Sequence, residues 1–459
     1  MGDRKTAVEF FNAGTGAAND KSNPVNINTA YNLFCAAAYA DPTLWQSFYQ
    51  LGGATHDMER LPAAIACYRR ALECEMTVQE RANTLTSLGW CLHKTGYTDE
   101  ALSVSNESVS LNPDRHEAYL NLSVIHGVRN ETLRAVTYAQ KAFELCQDPM
   151  TEMALTFAYL FDGQLSKGLK HFERRFEYKL HSFLHYPYPK WLGEPDKTVF
   201  LAADQGLGDT LAFARFLPQA AQRAKFIHAM VQPELMRAFT HAFSGIRNLH
   251  LIPSPSNFPQ ADCWTTFVSL PFALGLNNAE IRNARSVELP VFSMRPTWKV
   301  ADRKLHIGIA WAGSPLNEID VHRNIPVTRF LDLYRTPGIQ LYGLQVGDRT
   351  KELDDTGCAG VIRRLDPYIR DVVDTITILQ DLDLVICCES ALAHIAGSID
   401  KECWIPYSFF GHAFVYGHKG TNIPWYKKHR FFHQDKTANW EPVFWEINRA
   451  LHQRVKELP

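Results

Sequence analysis

Residues 197–217 read KTVFLAADQGLGDTLAFARFL. An apolar run at residues 199–203 ends in a turn with Gly206 and Gly208, and an amphipathic helix is expected directly after Asp209. This pattern predicts a strand, a tight loop and a helix N-terminus, because glycine lets the backbone turn where a side chain would clash. In open α/β sheets, ligands bind beyond the carboxyl ends of the strands, so we expect chemistry at this loop. Asp209 is either a helix cap or a chemically active carboxylate.

The same alternation of short apolar strands and helices continues to the end of the chain. A proline-containing break at residues 288–298 separates two sets of strands. We therefore predict two Rossmann-like halves, residues 197–295 and 296–459, with a cleft between them that suits a two-substrate reaction. The predicted strands are 199–203, 226–231, 250–252, 264–268, 305–311, 340–344, 360–363, 382–388 and 403–405.

The preceding part of the chain carries an internal repeat. Small and aromatic residues recur with a period of about 34 residues, in roughly four to five copies over residues 24–178. Examples are Gly52 with Tyr68, and Gly89 with Ala101. This pattern resembles the tetratricopeptide repeat, in which paired helices stack into a superhelix whose concave face holds a peptide or a protein partner. Residues 179–196 are predicted to be a connector whose aromatic side chains pack rather than swing.

Composition limits the classes of function. The chain has 459 residues and a formal net charge of −2, so no global charge favours nucleic acid or an anionic membrane. The short basic run at residues 427–430 is predicted to be a solvated face. No stretch approaches the roughly 20 apolar residues of a membrane span. The start lacks a signal-peptide pattern and the ten cysteines lack C-x-x-C spacing, so we expect a reduced, cytoplasmic protein without a metal site.

The second predicted sheet offers two loops that suit an anion. Residues 307–314 form an apolar strand that runs into small residues, and Arg323 follows as either a phosphate ligand or a surface ion-pair partner. Residues 382–394 form a strand that meets a helix, whose N-terminal N–H groups suit a diphosphate. Ser390 is either a phosphate donor or a helix cap, and His394 either contacts a ligand or fills a core position.

Residues 191–456 resemble the GT-B glycosyltransferases related to the ADP-heptose:lipopolysaccharide heptosyltransferases. Any one motif is weak, and the resemblance rests on the order and spacing of the set. The matching pieces are Trp191-x-Gly193-Glu194-Pro195, Gln205-Gly206-Leu207-Gly208-Asp209, Asp262 with Ser269-Leu270-Pro271, Gly308-x2-Trp311-x-Gly313, Arg323-Asn324-Ile325-Pro326, Asp374-Thr375, Glu389-Ser390-x3-His394-x2-Gly397, Pro424-Trp425-Tyr426 and Arg430-Phe431-Phe432.

The resemblance implies an inverting, metal-independent glycosyltransferase of GT-B fold without a cofactor. Residues 197–295 would face the acceptor and residues 296–459 would bind a nucleotide-diphosphate sugar as donor, with Asp209 as the general base. The family usually has Asp where this chain has Glu389, so the donor sugar is open. The residues expected to bind the donor are Trp311, Gly313, Arg323, Gln345, Glu389, Ser390 and His394.

Three functions stay open at this point. In the first, the repeats recruit a protein acceptor to the transferase. In the second, the protein is a non-catalytic repeat scaffold with a degenerate GT-B domain. In the third, the transferase acts on a glycan or on a nucleic-acid base, although the near-neutral charge does not favour nucleic acid. The sequence does not predict the oligomeric state.

Overall fold

The computed structural model describes residues 3–19, 26–178, 186–291, 298–314, 323–409, 415, 425–435 and 438–458. The chain forms two compact units, Met1–Ala158 and Tyr159–Pro459. None of the described helices is long and apolar enough to span a membrane.

The first unit is built from helices that pair in sequence order, α1 with α2, α3 with α4, α5 with α6 and α7 with α8. This is the helical solenoid that the repeat predicts. The helices along this part of the chain are α1 (Arg4–Asn19), α2 (Asn26–Ala40), α3 (Trp45–Asp57), α4 (Leu61–Leu72), α5 (Val78–Lys94), α6 (Thr98–Leu111), α7 (His116–Val128), α8 (Thr132–Leu145) and α9 (Pro149–Phe161).

Small residues let the paired helices approach each other. A Cβ placed on Gly52 of α3 would lie 2.5 Å from Cε1 of the buried Tyr68 on α4. A Cβ on Gly89 of α5 would lie 2.6 Å from the Ser105 hydroxyl on α6. The periodic glycines of the sequence are therefore the contact points between the helices of each pair.

The second unit contains two parallel sheets, as the alternating pattern predicts. Its helices are α10 (Leu165–Phe172), α11 (Leu207–Phe213), α12 (Leu217–Arg223), α13 (Pro233–Ala242), α14 (Leu270–Ala273), α15 (Asn278–Asn283), α16 (Glu352–Asp355), α17 (Val372–Asp381), α18 (Ala391–Ser398) and α19 (Trp440–Glu457). Short 3₁₀ helices lie at Glu173–Phe176, Ala214–Phe216, Val327–Arg335, Asp348–Lys351, Cys358–Gly360 and Asp366–Tyr368.

The first sheet has the strand order β3-β2-β1-β4, with every neighbouring pair parallel. Its strands are β1 (Thr198–Ala202), β2 (Phe226–Val231), β3 (Leu249–Pro253) and β4 (Cys263–Thr266). The aromatic side chains of the connector pack against it, as predicted, with the Tyr186 ring centroid 4.9 Å from that of Phe200. Residues 179–185 of the connector lie outside the described part of the chain.

The second sheet has the order β10-β9-β8-β5-β6-β7, again with parallel neighbours. One core joins this sheet to α19, whose Val443, Phe444, Ile447 and Leu451 are buried at helical spacing. The strands are β5 (Leu305–Ala310), β6 (Ile339–Gly343), β7 (Arg363–Arg364), β8 (Leu384–Cys387), β9 (Cys403–Tyr407) and β10 (His429–His433).

Two sequence predictions about elements were wrong, and one strand was missed. α11 begins at Leu207, before Asp209, because Gly206 is the N-cap residue. The strand predicted at residues 360–363 begins only at Arg363, since Cys358–Gly360 forms a 3₁₀ helix. Strand β10 was not predicted, and the basic run at 427–430 leads into it. Lys427, Lys428 and Arg430 are exposed, as predicted for a solvated face, and the Arg430 guanidinium also lies 4.6 Å from the Phe432 ring centroid.

Two adjacent glycines on α3 test the packing of the repeats. We expect Gly52→Ala to destabilise the first unit by about 1–3 kcal/mol, because the buried Tyr68 ring must move to admit the methyl group. Gly53→Ala is the matched control, since nothing lies within 4 Å of its Cβ position. It should be neutral or stabilising by up to about 1 kcal/mol. Urea unfolding followed by helical circular dichroism measures both, and equal effects would contradict the packing argument.

Candidate functional site

The beginnings of helices α11 and α18 meet within the second unit. α11 follows β1 of the first sheet, and α18 follows β8 of the second. A Cβ on Gly208 would lie 3.0 Å from Cδ2 of His394 and 3.4 Å from Cα of Ala391. The carboxyl ends of the two parallel sheets thus converge at Gly208, where a larger side chain would crowd His394 and Ala391.

Asp209 is the third residue of α11 and lies beside this contact. Its side chain is half-buried, and burial together with the nearby Asp204 carboxylate raises its pKa to about 6. Arg323 and the backbone N–H groups of Gly206 and Asp209 act in the opposite direction. Since Gly206 is the N-cap residue, the carboxylate supports the helix start from within the first turn. This position agrees with the helix-cap interpretation, and the chemical role of Asp209 stays a prediction.

Sequence reasoning missed a buried ionic network behind Asp209. The Arg175 side chain is fully buried, and its Nη2 lies 2.7 Å from Oδ2 of Asp204, which follows β1. The same Nη2 donates to the hydroxyls of Thr266 and Ser269, each at 3.2 Å. Nη1 lies 3.1 Å from Oε1 of Glu173. The network fixes the start of the loop that carries Asp209.

A second cation completes this network. Lys190 Nζ lies 2.9 Å from Oε2 of Glu173 and 3.3 Å from the centroid of the Phe176 ring. Burial lowers the pKa of Lys190 to about 8, although Glu173 opposes the shift. The only sequence signal for this network is the mixture of charged and aromatic residues at 171–178, which the repeat pattern does not require.

His394 lies in the core, where its Nδ1 is 3.0 Å from the Tyr426 hydroxyl. Burial, with the nearby His429 and Arg215, lowers its pKa to about 3, so the imidazole is neutral at pH 7. The Arg215 guanidinium stacks 3.9 Å from the Trp425 ring, whose Nε1 donates to the Ile281 carbonyl at 2.9 Å. The Trp425-Tyr426 piece of the predicted motif thus contacts elements that follow the first sheet; Pro424 lies outside the described residues.

Several residues predicted to bind the nucleotide-sugar donor lie on loops that follow β5, β6 and β8 of the second sheet. Gln345 Oε1 accepts hydrogen bonds from the backbone N–H groups of Trp311 and Ala312, each at 3.1 Å. The Trp311 indole is buried and donates to Glu352 at 2.9 Å. These two side chains therefore shape the loop that continues into Gly313.

The other residues predicted to bind the nucleotide-sugar donor lie at the start of α18 and near Asp209. Ser390 is the N-cap residue of α18, but its hydroxyl makes no cap hydrogen bond. Glu389 is buried and raises the pKa of Tyr407, after the larger effect of burial. Arg323 acts on the Asp209 carboxylate. The geometry thus places His394 against Gly208, next to Asp209, and Arg323 near the Asp209 carboxylate, while Trp311 shapes its loop through its backbone and its packing.

Two further acidic features lie away from this convergence. Arg237 on α13 pairs with Asp371 at 2.7 Å and with Asp374 at 2.6 Å, so the Asp374-Thr375 motif joins α17 to α13. The Arg370 and Arg237 hydrogen bonds lower the pKa of Asp374 to about 2. Asp383, in the Asp381-x-Asp383 sequence, accepts from the backbone N–H of His306 at the amino end of the second sheet. Asp381 and Asp383 therefore lie at the amino end of the second sheet, whereas the candidate site lies at the carboxyl ends of the strands.

Comparison with known proteins gives one family match and several distant similarities. The tetratricopeptide repeat family model matches residues 82–115. Residues 82–115 form a tetratricopeptide repeat.

The distant similarities are to a curated protein and to solved structures. Protein FlbA of Caulobacter vibrioides is 23% identical over 454 residues, which cover 92% of this chain and 75% of FlbA. The MamA structure from Desulfovibrio magneticus RS-1 is 18% identical and covers 40% of this chain and 99% of its own, with a TM-score of 0.34. YrrB, described as a TPR protein with an unusual peptide-binding site, is 17% identical over 39% of this chain and 89% of its own, with a TM-score of 0.31.

The buried network predicts a large loss of folding stability when Arg175, its central cation, is replaced. Arg175→Leu leaves the Asp204 and Glu173 carboxylates buried without the guanidinium, and we expect a loss of about 3–5 kcal/mol of stability. Arg174→Ala is the neighbouring control, because the partly exposed Arg174 pairs with Glu177 on the surface; it should change stability by about 0.5 kcal/mol or less. Denaturant unfolding followed by tryptophan fluorescence measures both, and similar losses would contradict the role of Arg175.

The raised pKa of Asp209 predicts a pH-dependent gain of stability in Asp209→Asn. Ionised Asp209 costs folding free energy, and this cost grows as the pH rises from the unfolded pKa of about 4 to the folded pKa of about 6. The variant should be more stable than the parent by about 1–2 kcal/mol at about pH 8, and equally stable near about pH 4. Thermal melts at both values test this. A variant that is less stable at high pH would contradict the burial of a costly charge.

Proposed function

We propose that this protein is an inverting glycosyltransferase of GT-B fold that moves a sugar from a nucleotide-diphosphate sugar to a protein acceptor recruited by its repeats. The observation that carries the proposal is the position of Asp209, a carboxylate with a pKa near 6 at the convergence of two sheets' carboxyl ends. The function rests on this site and on the motif resemblance of residues 191–456, since fold alone does not determine function.

The placement of Asp209 suits a general base. A base works best when its pKa lies near the operating pH, and burial has moved this carboxyl toward that range. In an inverting transfer, the carboxylate takes the proton of the acceptor hydroxyl while the acceptor oxygen attacks the anomeric carbon. The bond to the diphosphate breaks on the opposite face, and the diphosphate leaves with the bonding electron pair.

The charge that develops on the diphosphate needs positive partners. Arg323 lies close enough to Asp209 to lower the pKa of that carboxyl, which places its positive charge near the reacting groups. The first turn of α18 begins beside Gly208, where the backbone N–H groups of residues 391 and 392 suit an anion. Together they supply fixed positive charge for the leaving group, so no step in this scheme needs a metal ion.

The repeats suggest how the acceptor is held. Tetratricopeptide arrays bind proteins or peptides along an extended surface, and residues 82–115 match that family. We assign acceptor recruitment to the first unit and transfer to the second. The second candidate is a scaffold in which the repeats alone act. It is favoured by the tetratricopeptide repeat match, which lies in the first unit. A glycan or nucleic-acid base as acceptor has no specific observation in its favour.

Donor binding and hydrolysis separate these functions. We expect the full chain to bind at least one of the UDP-, GDP-, ADP- and dTDP-sugars in the presence of EDTA and to hydrolyse it slowly. Asp209→Asn should retain binding and lose about 10²–10⁴-fold in hydrolysis. The parent rate should fall as the pH drops through about 6, because the base becomes protonated. Isothermal titration and product chromatography across a pH series measure these quantities.

Arginine variants complete the test. Arg323→Ala should weaken donor binding by about 10–100-fold, the value of hydrogen bonds to a charged group. Arg329→Ala is its control, because Arg329 pairs with Asp332 on the surface 3.7 Å away and should bind donor normally. If no nucleotide sugar binds, the scaffold function replaces the transferase. If only a CMP-sugar binds, the diphosphate part of the proposal is wrong.

A further inference from the structure

Three potential metal ligands meet where helices of the repeat unit begin and end. His116 is the first residue of α7, Cys146 directly follows α8, and Asp148 directly precedes α9. One ligand atom from each of the three side chains lies within 4.8 Å of the other two, and all three residues are half-buried. The sequence shows no metal-binding spacing here, because His116 is 30 residues away from Cys146 in the chain. Only the fold brings it close to Cys146 and Asp148.

The orientation of His116 suits metal coordination. Its Nδ1 lies 3.4 Å from Oε2 of Glu117, while its Nε2 lies 4.0 Å from Oδ2 of Asp148. The nearby Glu117 carboxylate favours a proton on Nδ1, which places the lone pair of the neutral ring on Nε2. Metal-binding histidines commonly have this outer carboxylate partner, which fixes the tautomer and the ring orientation. Nε2 is the atom that faces Asp148.

The other two residues are held by one threonine. Thr151 in the first turn of α9 donates its backbone N–H to Oδ1 of Asp148 at 2.8 Å, so Oδ2 is the oxygen that lies near His116. The Thr151 hydroxyl lies 2.6 Å from the Cys146 carbonyl oxygen, which it can reach as a donor. The turn at residues 146–148 is therefore held by Thr151. The Cys146 thiol itself hydrogen-bonds to the Asp148 carboxylate, so these two ligand groups already face each other.

We propose that His116 Nε2, Cys146 Sγ and Asp148 Oδ2 form a binding site for Zn²⁺ or a divalent ion of similar ligand preference. Nitrogen, thiolate and carboxylate ligands at bond lengths of about 2.0–2.3 Å are the set that Zn²⁺ takes, with water as the fourth ligand. A tetrahedral site requires the three atoms to approach by about 1 Å, within reach of side-chain rotation. On binding, the thiol proton passes to solvent and the sulfur–metal bond forms.

The site would tie the start of α7 to the turn between α8 and α9. Metal bound there stabilises the repeat unit, because the unfolded chain does not hold the three ligands together. The inference is independent of the transferase proposal, and a failure of either leaves the other intact.

Cobalt titration tests the site through a spectrum rather than through activity. The reduced, chelator-stripped full chain should bind one equivalent of Co²⁺, with thiolate-to-cobalt absorption in the near ultraviolet and visible bands typical of four-coordinate cobalt. Zn²⁺ should displace them. Cys146→Ser should abolish the thiolate band, and His116→Gln and Asp148→Asn should each weaken Co²⁺ binding by about 10–100-fold or more. Asp148→Asn keeps the acceptor oxygen for Thr151.

A matched cysteine and a folding check complete the design. Cys74→Ser is the control, because Cys74 is a half-buried thiol that follows α4 of the same unit, with its Sγ 3.7 Å from the Pro42 carbonyl oxygen. It should bind Co²⁺ as the parent does. Helical circular dichroism in chelator shows whether each variant folds, and His116→Gln, at a partly exposed helix start, decides the outcome if Cys146→Ser unfolds. The proposal is overturned if the parent shows no thiolate band or if the band persists in Cys146→Ser. It is also overturned if folded His116→Gln binds Co²⁺ with unchanged affinity.

Discussion

The site in the second unit depends on the close approach of α11 to α18 at Gly208. A Cβ at this position would lie 3.0 Å from His394 and 3.4 Å from the backbone of Ala391, so a larger residue would push the two helix starts apart. Two other contacts support the same approach, the pairing of Arg237 with Asp374 and the hydrogen bond from Trp425 to Ile281. Because Asp209 follows Gly208 directly, whatever holds these helices together also holds the carboxylate beside the second sheet.

Electrostatics around the loop explain why Asp209 differs from its neighbour. Asp204 is more deeply buried, but the Arg175 guanidinium lies 2.7 Å away and compensates its charge. Burial and the Asp204 carboxylate disfavour ionisation of Asp209, whereas the Arg323 cation favours it. The net effect raises the pKa of Asp209 to about 6. A fold under selection for stability alone would have no reason to keep this charge, and such perturbed groups are frequent at functional sites.

Local periodicity allowed much of the architecture to be predicted, while long-range pairing limited the rest. The helix pairs and most strands follow from apolar spacing that each segment carries by itself. Strand β10 was missed because Arg430 reads as a solvated charge until Trp404 and Phe432 lie beneath its guanidinium. The Arg175 network was missed for the same reason, since nothing near Arg175 in the sequence indicates Asp204 as its partner.

The residues carried over from the family resemblance differ in what their side chains do. Gln345 accepts two backbone N–H groups and Trp311 donates its indole N–H to Glu352, so both build the loop after β5. Substituting either residue would alter that loop before it altered any ligand contact. Asp209 and Arg323 are different, because the positive charge of Arg323 lowers the pKa of the Asp209 carboxyl at the convergence of the two sheets. Residues that one family resemblance groups together therefore separate into positioning residues and candidate reacting groups only when their contacts are known.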